Sequence, residues 1–333
     1  MGEMNIKKIS LATHKFRKPE LIKYGRPIIE PKDNWWECWQ TFNTGAILLD
    51  EKIHFLYRAV GVDCISRFGY AISEDGFNLN ERLDYPVYEH PIIPTSCPYG
   101  SGGSLGGAED PRIVRVKGED KLYVTYNLFS NEGIRVCLTS INVKDFLNRR
   151  WNWSKGVPIS PPREVHKNWV IFPEKIGGKY ALLHSLTPRV SIEYLDSLNF
   201  DGREFIKSQY VRADYPLDWE AVIKGVGPSP LKTDYGWIVF YHGLPKSNPE
   251  LYCIGVMLLD LEEPTKIVAK AKKPVIIPEG LKGVKPNVVY TNGAVIKEDY
   301  IIVYYGAADT CVHVAYAKLE EFVENLITYN KEF

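Results

Sequence analysis

The feature that most restricts what this chain can fold into is a strand pair that recurs five times. Each copy has a charged tight turn, an apolar strand, a short connection and a second alternating strand. The copies are DEKIHFLYRAV with SRFGYAISEDGF, KGEDKLYVTYN with IRVCLTSINVKDF, KIGGKYALLHSL with VSIEYLDSLNF, KTDYGWIVFYHG with YCIGVMLLDLEEP, and KEDYIIVYYGAAD with CVHVAYAKLEEF. Each strand is short, rich in β-branched or aromatic residues, and bounded by Gly, Asp, Asn or Lys turns.

The first strands end near Arg58, Tyr126, His184, His242 and Tyr305, about 60 residues apart. That is longer than a typical blade repeat but within reach of a four-stranded blade with long loops. One strand pair cannot cover both of its own faces. Stacking five such sheets around an axis does, and it leaves few exposed edges. The expected fold is therefore all-β, a five-bladed β-propeller, with an irregular β-sandwich as the alternative. Phe322, Val323, Leu326 and Ile327 recur at three and four and predict one short C-terminal helix, about 319–330. We read residues 1–333 as a single domain, with an N-terminal arm over about 1–40.

In a propeller the same strand of every blade ends at one face near the axis. Polar residues at those ends, Arg58, His184, His242 and Asp309, are expected to converge there, and a ligand site commonly lies at that face. Composition narrows the partners. The formal net charge is zero, 41 basic residues against 41 acidic, which points away from a nucleic-acid groove or a polybasic membrane patch. No apolar run approaches the roughly 20 residues that span a bilayer. The N-terminus has no signal-peptide pattern. The six cysteines are scattered, without a C-x-x-C pair, and the seven histidines do not cluster. These features predict free thiols in a cytoplasmic protein and no metal site. Either the N-terminal arm or the C-terminal helix could mediate a homo-oligomer.

Aromatic residues make up 13% of the chain, with 21 Tyr and 8 Trp. Such rings stack on sugars, but they also fill β-sheet cores. Trp35, Trp36 and Trp39 read first as a core cluster, and His54 and His313 as packing within strands.

The sharpest local motif is Gly107-Ala108-Glu109-Asp110-Pro111-Arg112, after the glycine-rich YGSGGSLGG. Pro111 fixes its own φ and is expected to push Asp110 out of the helical region. An acid on such a rigid corner suits catalysis. The plainer alternative is a turn with an Asp–Arg pair.

GAEDPRI, with FNTGA before it and FPEKI, GVGPSP, YHG, LLDLEEP, KPNVVY and YYGAADT after it, resembles glycoside hydrolase family 130. The matches run in order from about Phe42 to Asp309, and together they are specific. That family contains β-mannoside phosphorylases and some β-mannosidases, on a five-bladed propeller. The resemblance implies that Asp110 is the catalytic acid and protonates the glycosidic oxygen through the 3-hydroxyl of the bound mannosyl unit. The attacking group then enters from the opposite face and inverts the anomeric centre. With inorganic phosphate as co-substrate the product is α-mannose 1-phosphate, and no other cofactor is implied. Phosphate is already an anion and needs cations and hydrogen-bond donors rather than a base. A water-using inverting enzyme needs a second carboxylate, and Glu174 and Glu220 are the candidates.

The resemblance also carries over to substrate-binding positions: Asn43 and Thr44, Arg58 and Asp63, and Asp309; Glu109 and Arg112 beside Asp110, and His184 at a strand end on the expected site face, are further candidates. Short polar and carboxylate groups suit sugar hydroxyls, which both donate and accept. For phosphate, Arg67 and His242 match basic positions of the phosphorylases. Three other basic positions are lost: Glu174, Ser185 and Ile223 stand there. Arg189, Lys167 and Lys224 could compensate. This departure favours β-1,2-linked over β-1,4-linked mannosides. A β-mannosidase, a non-catalytic glycan-binding propeller and an enzyme for another glycoside such as an arabinoside are the alternatives.

Overall fold

The computed structural model describes residues 18–92, 101–208 and 217–329. The first part of the N-terminal arm, Cys97 and Asn330 lie outside these residues. The protein is mostly β. The arm contributes β1 (Ile22–Lys23). A first antiparallel unit follows: β2 (Gln40–Leu49), β3 (Lys52–Val60), β4 (Ile65–Ser73) and β5 (Glu81–Arg82). The second is β6 (Gly106–Arg115), β7 (Lys121–Ser130), β8 (Gly133–Asn142) and β9 (Val157–Pro158). The third is β10 (Val170–Ile171), β11 (Tyr180–Ser185) and β12 (Ser191–Leu195).

In the fourth unit, β13 (Val222–Val226) and β14 (Leu231–Thr233) both pair with β15 (Gly236–Leu244), followed by β16 (Cys253–Leu259) and β17 (Ile267–Lys270). The fifth is β18 (Val289–Lys297), β19 (Tyr300–Ala307) and β20 (Cys311–Lys318). Its outer neighbour is β1, where Ile22 and Lys23 pair with Tyr316 and Ala315. The arm thus ties the start of the chain to its last sheet. A two-residue parallel contact, Ile65 with Gly106 and Ser66 with Gly107, joins the first unit to the second.

The recurring apolar strand is the second strand of every unit, and it buries both faces. On β3, Phe55 and Tyr57 pack with Ile302 and Tyr304 of β19, while Leu56 packs toward Val124 and Tyr126 of β7. On β15, Val239 packs with Leu183 of β11, and Phe240 with Val303 of β19. Leu182 of β11 joins Val114 and Val136 of the second unit. Among the described residues, each hydrophobic cluster therefore lies between consecutive units, and one lies between the fifth and the first. Burial on both faces explains why these strands read as nearly continuous apolar runs.

The C-terminal helix is present over Leu319–Tyr329 and buries Phe322, Val323 and Leu326. A second, shorter helix, Val143–Leu147, was not expected. Its VKDF reads as the tail of a strand, but the strand ends at Asn142 and Phe146 turns into the core. The tryptophan cluster is a partial correction. Trp36 is buried, whereas Trp35 and Trp39 are 54% and 50% exposed. No helix of the described residues is long and apolar enough to cross a membrane.

Candidate active site

The site is made by bulges in the first strand of four of the five units. Register slips by one residue between Phe42 and Gly45, between Glu109 and Arg112, between Ile223 and Gly225, and between Thr291 and Gly293. An extra residue turns a side chain out of the regular alternation. Asn43 (φ 46°), Asp110 (φ 54°) and Gly225 (φ 120°) take the left-handed conformation at these slips, and Asn168 (φ 67°) does so just before β10. Asp110 is therefore not on a loop corner. It sits inside β6, and its φ is left-handed, a sparsely populated conformation for a residue before proline. Such strain persists where the surrounding structure over-determines it.

Asp110 is 6% exposed. Its Oδ1 accepts from Asn43 Nδ2 at 2.9 Å and from Arg58 Nη1 at 3.3 Å, and its Oδ2 accepts from Asn127 Nδ2 at 3.3 Å. Burial pushes its pKa up. Arg58 and Arg112, the Asn43 hydrogen bond and Lys167 outweigh burial and hold the carboxyl below the usual range. Arg58 is held in turn by Glu109 at 2.8 Å, by Ser66 Oγ at 3.0 Å and by Ser104 Oγ at 3.1 Å, with its guanidinium over the Phe42 ring.

Asp110, Asn43, Arg58 and Asp309 line one cavity of about 480 Å³, together with Lys167, Tyr252, Lys285 and Tyr290. Asp309 meets Lys285 Nζ at 3.1 Å there. Lys167 also lines a neighbouring cavity of about 250 Å³, with His184, Ser185, Trp169 and Lys224. Burial and the nearby Lys224 charge lower the Lys167 pKa, opposed by Asp110 and Glu109. Arg189 lies on a third cavity, which shares Thr187 and Ser208 with the second.

The other expected residues, Thr44, Asp63, Arg67, Glu109, Arg112 and His242, do not line these three cavities. Thr44 is buried, its hydroxyl given to backbone carbonyls of Gly45 and Leu56. Glu109 supports Arg58. Arg112 donates to the carbonyls of Asp110, Gly227 and Val226 and to Asn168. Arg67 is clasped by Asp63, at 2.9 and 2.5 Å, and by Glu89 at 2.7 Å, over the Trp35 ring.

His242 lies stacked on Tyr290, ring centroids 3.8 Å apart and 4° from parallel, with its Nε2 3.1 Å from Thr291 N. Burial, then Arg112, lowers its pKa to about 3, so it is neutral. His184 Nδ1 is 2.8 Å from Ser208 Oγ, and burial with His166 lowers its pKa to about 4. The two carboxylates considered for activating water are engaged elsewhere. Glu174 pairs with Lys232; Glu220 pairs with Lys270 and accepts from the Tyr241 hydroxyl.

A family model described as beta-1,4-mannooligosaccharide phosphorylase matches residues 17–328. The chain belongs to glycoside hydrolase family 130. A family-130 relative, the 1,2-beta-oligomannan phosphorylase of Thermoanaerobacter sp. (strain X514), is 37% identical over 313 residues, 89% of this chain and 96% of its own length. The beta-1,2-mannobiose phosphorylase of the same organism is 34% identical over 317 residues, again 89% of this chain and 96% of the relative. The solved beta-1,2-mannobiose phosphorylase of Listeria innocua superposes with a TM-score of 0.73 at 23% identity, covering 92% of this chain and 99% of that one.

Three residues that touch the acid or its supports carried no strong signal in the sequence. Asn127 lies one residue past the expected strand end, although β7 continues to Ser130. Tyr290 closes the KPNVVY motif. Asn168 stands in HKNW, where no strand pattern marks it.

Proposed function

We propose that this enzyme is an inverting β-mannoside phosphorylase that cleaves β-1,2-linked mannobiose or mannooligosaccharides and releases α-mannose 1-phosphate. One observation carries the reading: Lys167 stands between the cavity holding Asp110 and the adjoining cavity holding Lys224. A mannosyl unit in the first cavity would have its acid at Asp110. An anion at the shared wall would meet Lys167 and Lys224, which replace the lost basic positions. The Asp110 carboxyl is held below the usual range in the free site, so it must take up a proton before it can act as the acid; that proton then ends on the departing oxygen, following the family's route through the 3-hydroxyl. The C1–O bond to the leaving sugar breaks as a phosphate oxygen bonds C1 from the opposite face.

Asn43, Arg58 and Asp309 are read as contacts of the mannosyl unit. Tyr290 is read as a wall of its pocket, and His242, being neutral, as a support rather than a phosphate charge partner. The β-1,2 linkage rests on the two relatives at 34–37% identity. The five units, with a hydrophobic cluster between each and the next and between last and first, are read as the blades of one five-bladed propeller closed by β1. A cytoplasmic location fits free thiols and a phosphate co-substrate.

The test is product analysis of β-1,2- and β-1,4-mannobiose with and without phosphate. Mannose 1-phosphate from the β-1,2 substrate, only when phosphate is present, is the expected result. Equal turnover in phosphate-free buffer would overturn the proposal.

A further inference from the structure

Asn168 is almost fully buried and stands where four strands of three other units meet. Its Oδ1 accepts from Arg112 Nη2 at 2.9 Å, from the Tyr290 hydroxyl at 2.7 Å and, more weakly, from Asn127 Nδ2 at 3.4 Å. Its Nδ2 donates to the backbone carbonyl of Lys224 at 2.9 Å, and its own N–H donates to Asn127 Oδ1 at 3.1 Å. Donors surround the oxygen and a carbonyl meets the nitrogen, so the amide orientation is fixed by its partners. An aspartate there would lose the donor to Lys224, and an apolar residue would leave several buried polar groups unpaired.

The surroundings are shaped around this amide. Gly225 follows Lys224, and an added Cβ there would come 2.9 Å from Asn168 Cβ and 3.0 Å from its Nδ2. Lys167 precedes Asn168 in the chain, and Lys224 hangs from its Nδ2. Arg112 and Asn127, the partners of its oxygen, touch Asp110 directly: Arg112 Nη1 donates to the Asp110 carbonyl and Asn127 Nδ2 to the carboxylate.

We propose that Asn168 is a positioning residue that locks the two lysine-bearing segments to the strand carrying Asp110, so that phosphate and acid are held in register across the mannosyl unit. This rests on the reading of Lys167 and Lys224 as the phosphate-holding side chains. Asn168 itself transfers no proton. It acts through the backbone of both lysines, through Asn127, which donates to the Asp110 carboxylate, and through Arg112, which donates to the Asp110 backbone carbonyl.

The experiment compares Asn168→Asp, which keeps the shape and the acceptor, with Asn168→Gly, which removes the amide and relaxes the left-handed backbone. Steady-state kinetics are read separately for inorganic phosphate and for β-1,2-mannobiose, with circular dichroism to establish folding. In both variants KM for phosphate should rise by about tenfold or more, as for loss of a partner that orients a ligand-holding group, while KM for the mannoside stays within about twofold. An unchanged phosphate KM in a folded variant, or an equal rise in both KM values, would overturn the inference. Absence of phosphate-dependent turnover in the unaltered protein would instead overturn the proposed function.

Discussion

The side-chain amide of Asn43 donates to Asp110 Oδ1 across 2.9 Å, joining the bulge of one unit to the bulge of the next. The fifth unit sets this contact. Gly306 of β19 lies against Asn43, and a Cβ there would fall 2.1 Å from Asn43 Oδ1. The acid is thus oriented by three sheets that are far apart in the chain.

Gly306→Ala should therefore act on catalysis through Asn43. The added methyl turns the amide off Asp110. A hydrogen bond to a charged group contributes about 1.5–3 kcal/mol, so kcat should fall roughly tenfold to a hundredfold. Steady-state kinetics check this, and a wild-type kcat in the variant would remove Asn43 from the mechanism.

Asp110→Asn keeps the shape and removes the proton. Loss of a general acid costs about 10²–10⁴ in rate. Turnover of β-1,2-mannobiose with phosphate should drop by that factor or more. Calorimetric binding of the mannoside should persist, because the cavity wall is unchanged. Rate loss accompanied by complete loss of binding would point to a structural role instead.

Arg58→Met should unfold the site. It leaves Glu109 and Asp110 buried without the cation that pairs both. Breaking a buried pair from one side costs about 3–5 kcal/mol. Urea denaturation should show a loss of that size, and adding Glu109→Gln should recover part of it.

Lys167→Met tests the anion reading. Phosphate KM should rise at least about tenfold and the mannoside KM little, the pattern of a lost interaction with one substrate only. Equal effects on both would place the anion elsewhere.

Stability should fall on mild acidification. His54 and His184 are lowered to about 4 and His242 to about 3, all chiefly by burial, from an ordinary value of 6.5. Below pH 6.5 the unfolded chain takes up protons that the folded protein refuses. Stability is therefore full above 6.5 and is lost as pH falls toward 3–4. Asp110 adds a separate loss at more acid pH, since its carboxyl is held below the ordinary value of about 3.9. Melting temperature measured from pH 7 to pH 4 should decline, and less steeply in His242→Gln. Equal slopes in the two proteins would mean that His242 is not held neutral.

Much of this was legible in the residues. The second strand of each unit announced itself because it buries both faces, which makes Phe55–Tyr57 or Ile238–Tyr241 apolar whatever their partners. Asp110 stood out through Pro111 and its neighbouring motifs. The first strands were harder to see. QTFNTGAILL and GGAEDPRIVR carry glycine and polar residues at the bulge, where no periodicity survives, so Asp110 read as a loop residue although it lies within β6. For Arg67, expected as a phosphate ligand, the pairing with Asp63 and Glu89 was not legible in the sequence, because the contact with Glu89 depends on the fold.

By itself the sequence determined the repeated sheets and the C-terminal helix, which depend on spacing along the chain, and it singled out Asp110 as the candidate acid through its motif and the family resemblance. Only the tertiary structure decided how Asn43, Asn127 and Arg58 surround that acid, that Lys167 stands between two cavities, and that Asn168 ties them together. Those relationships join residues from different sheets, and their geometry is set by register slips and by packing between units, neither of which leaves a local trace.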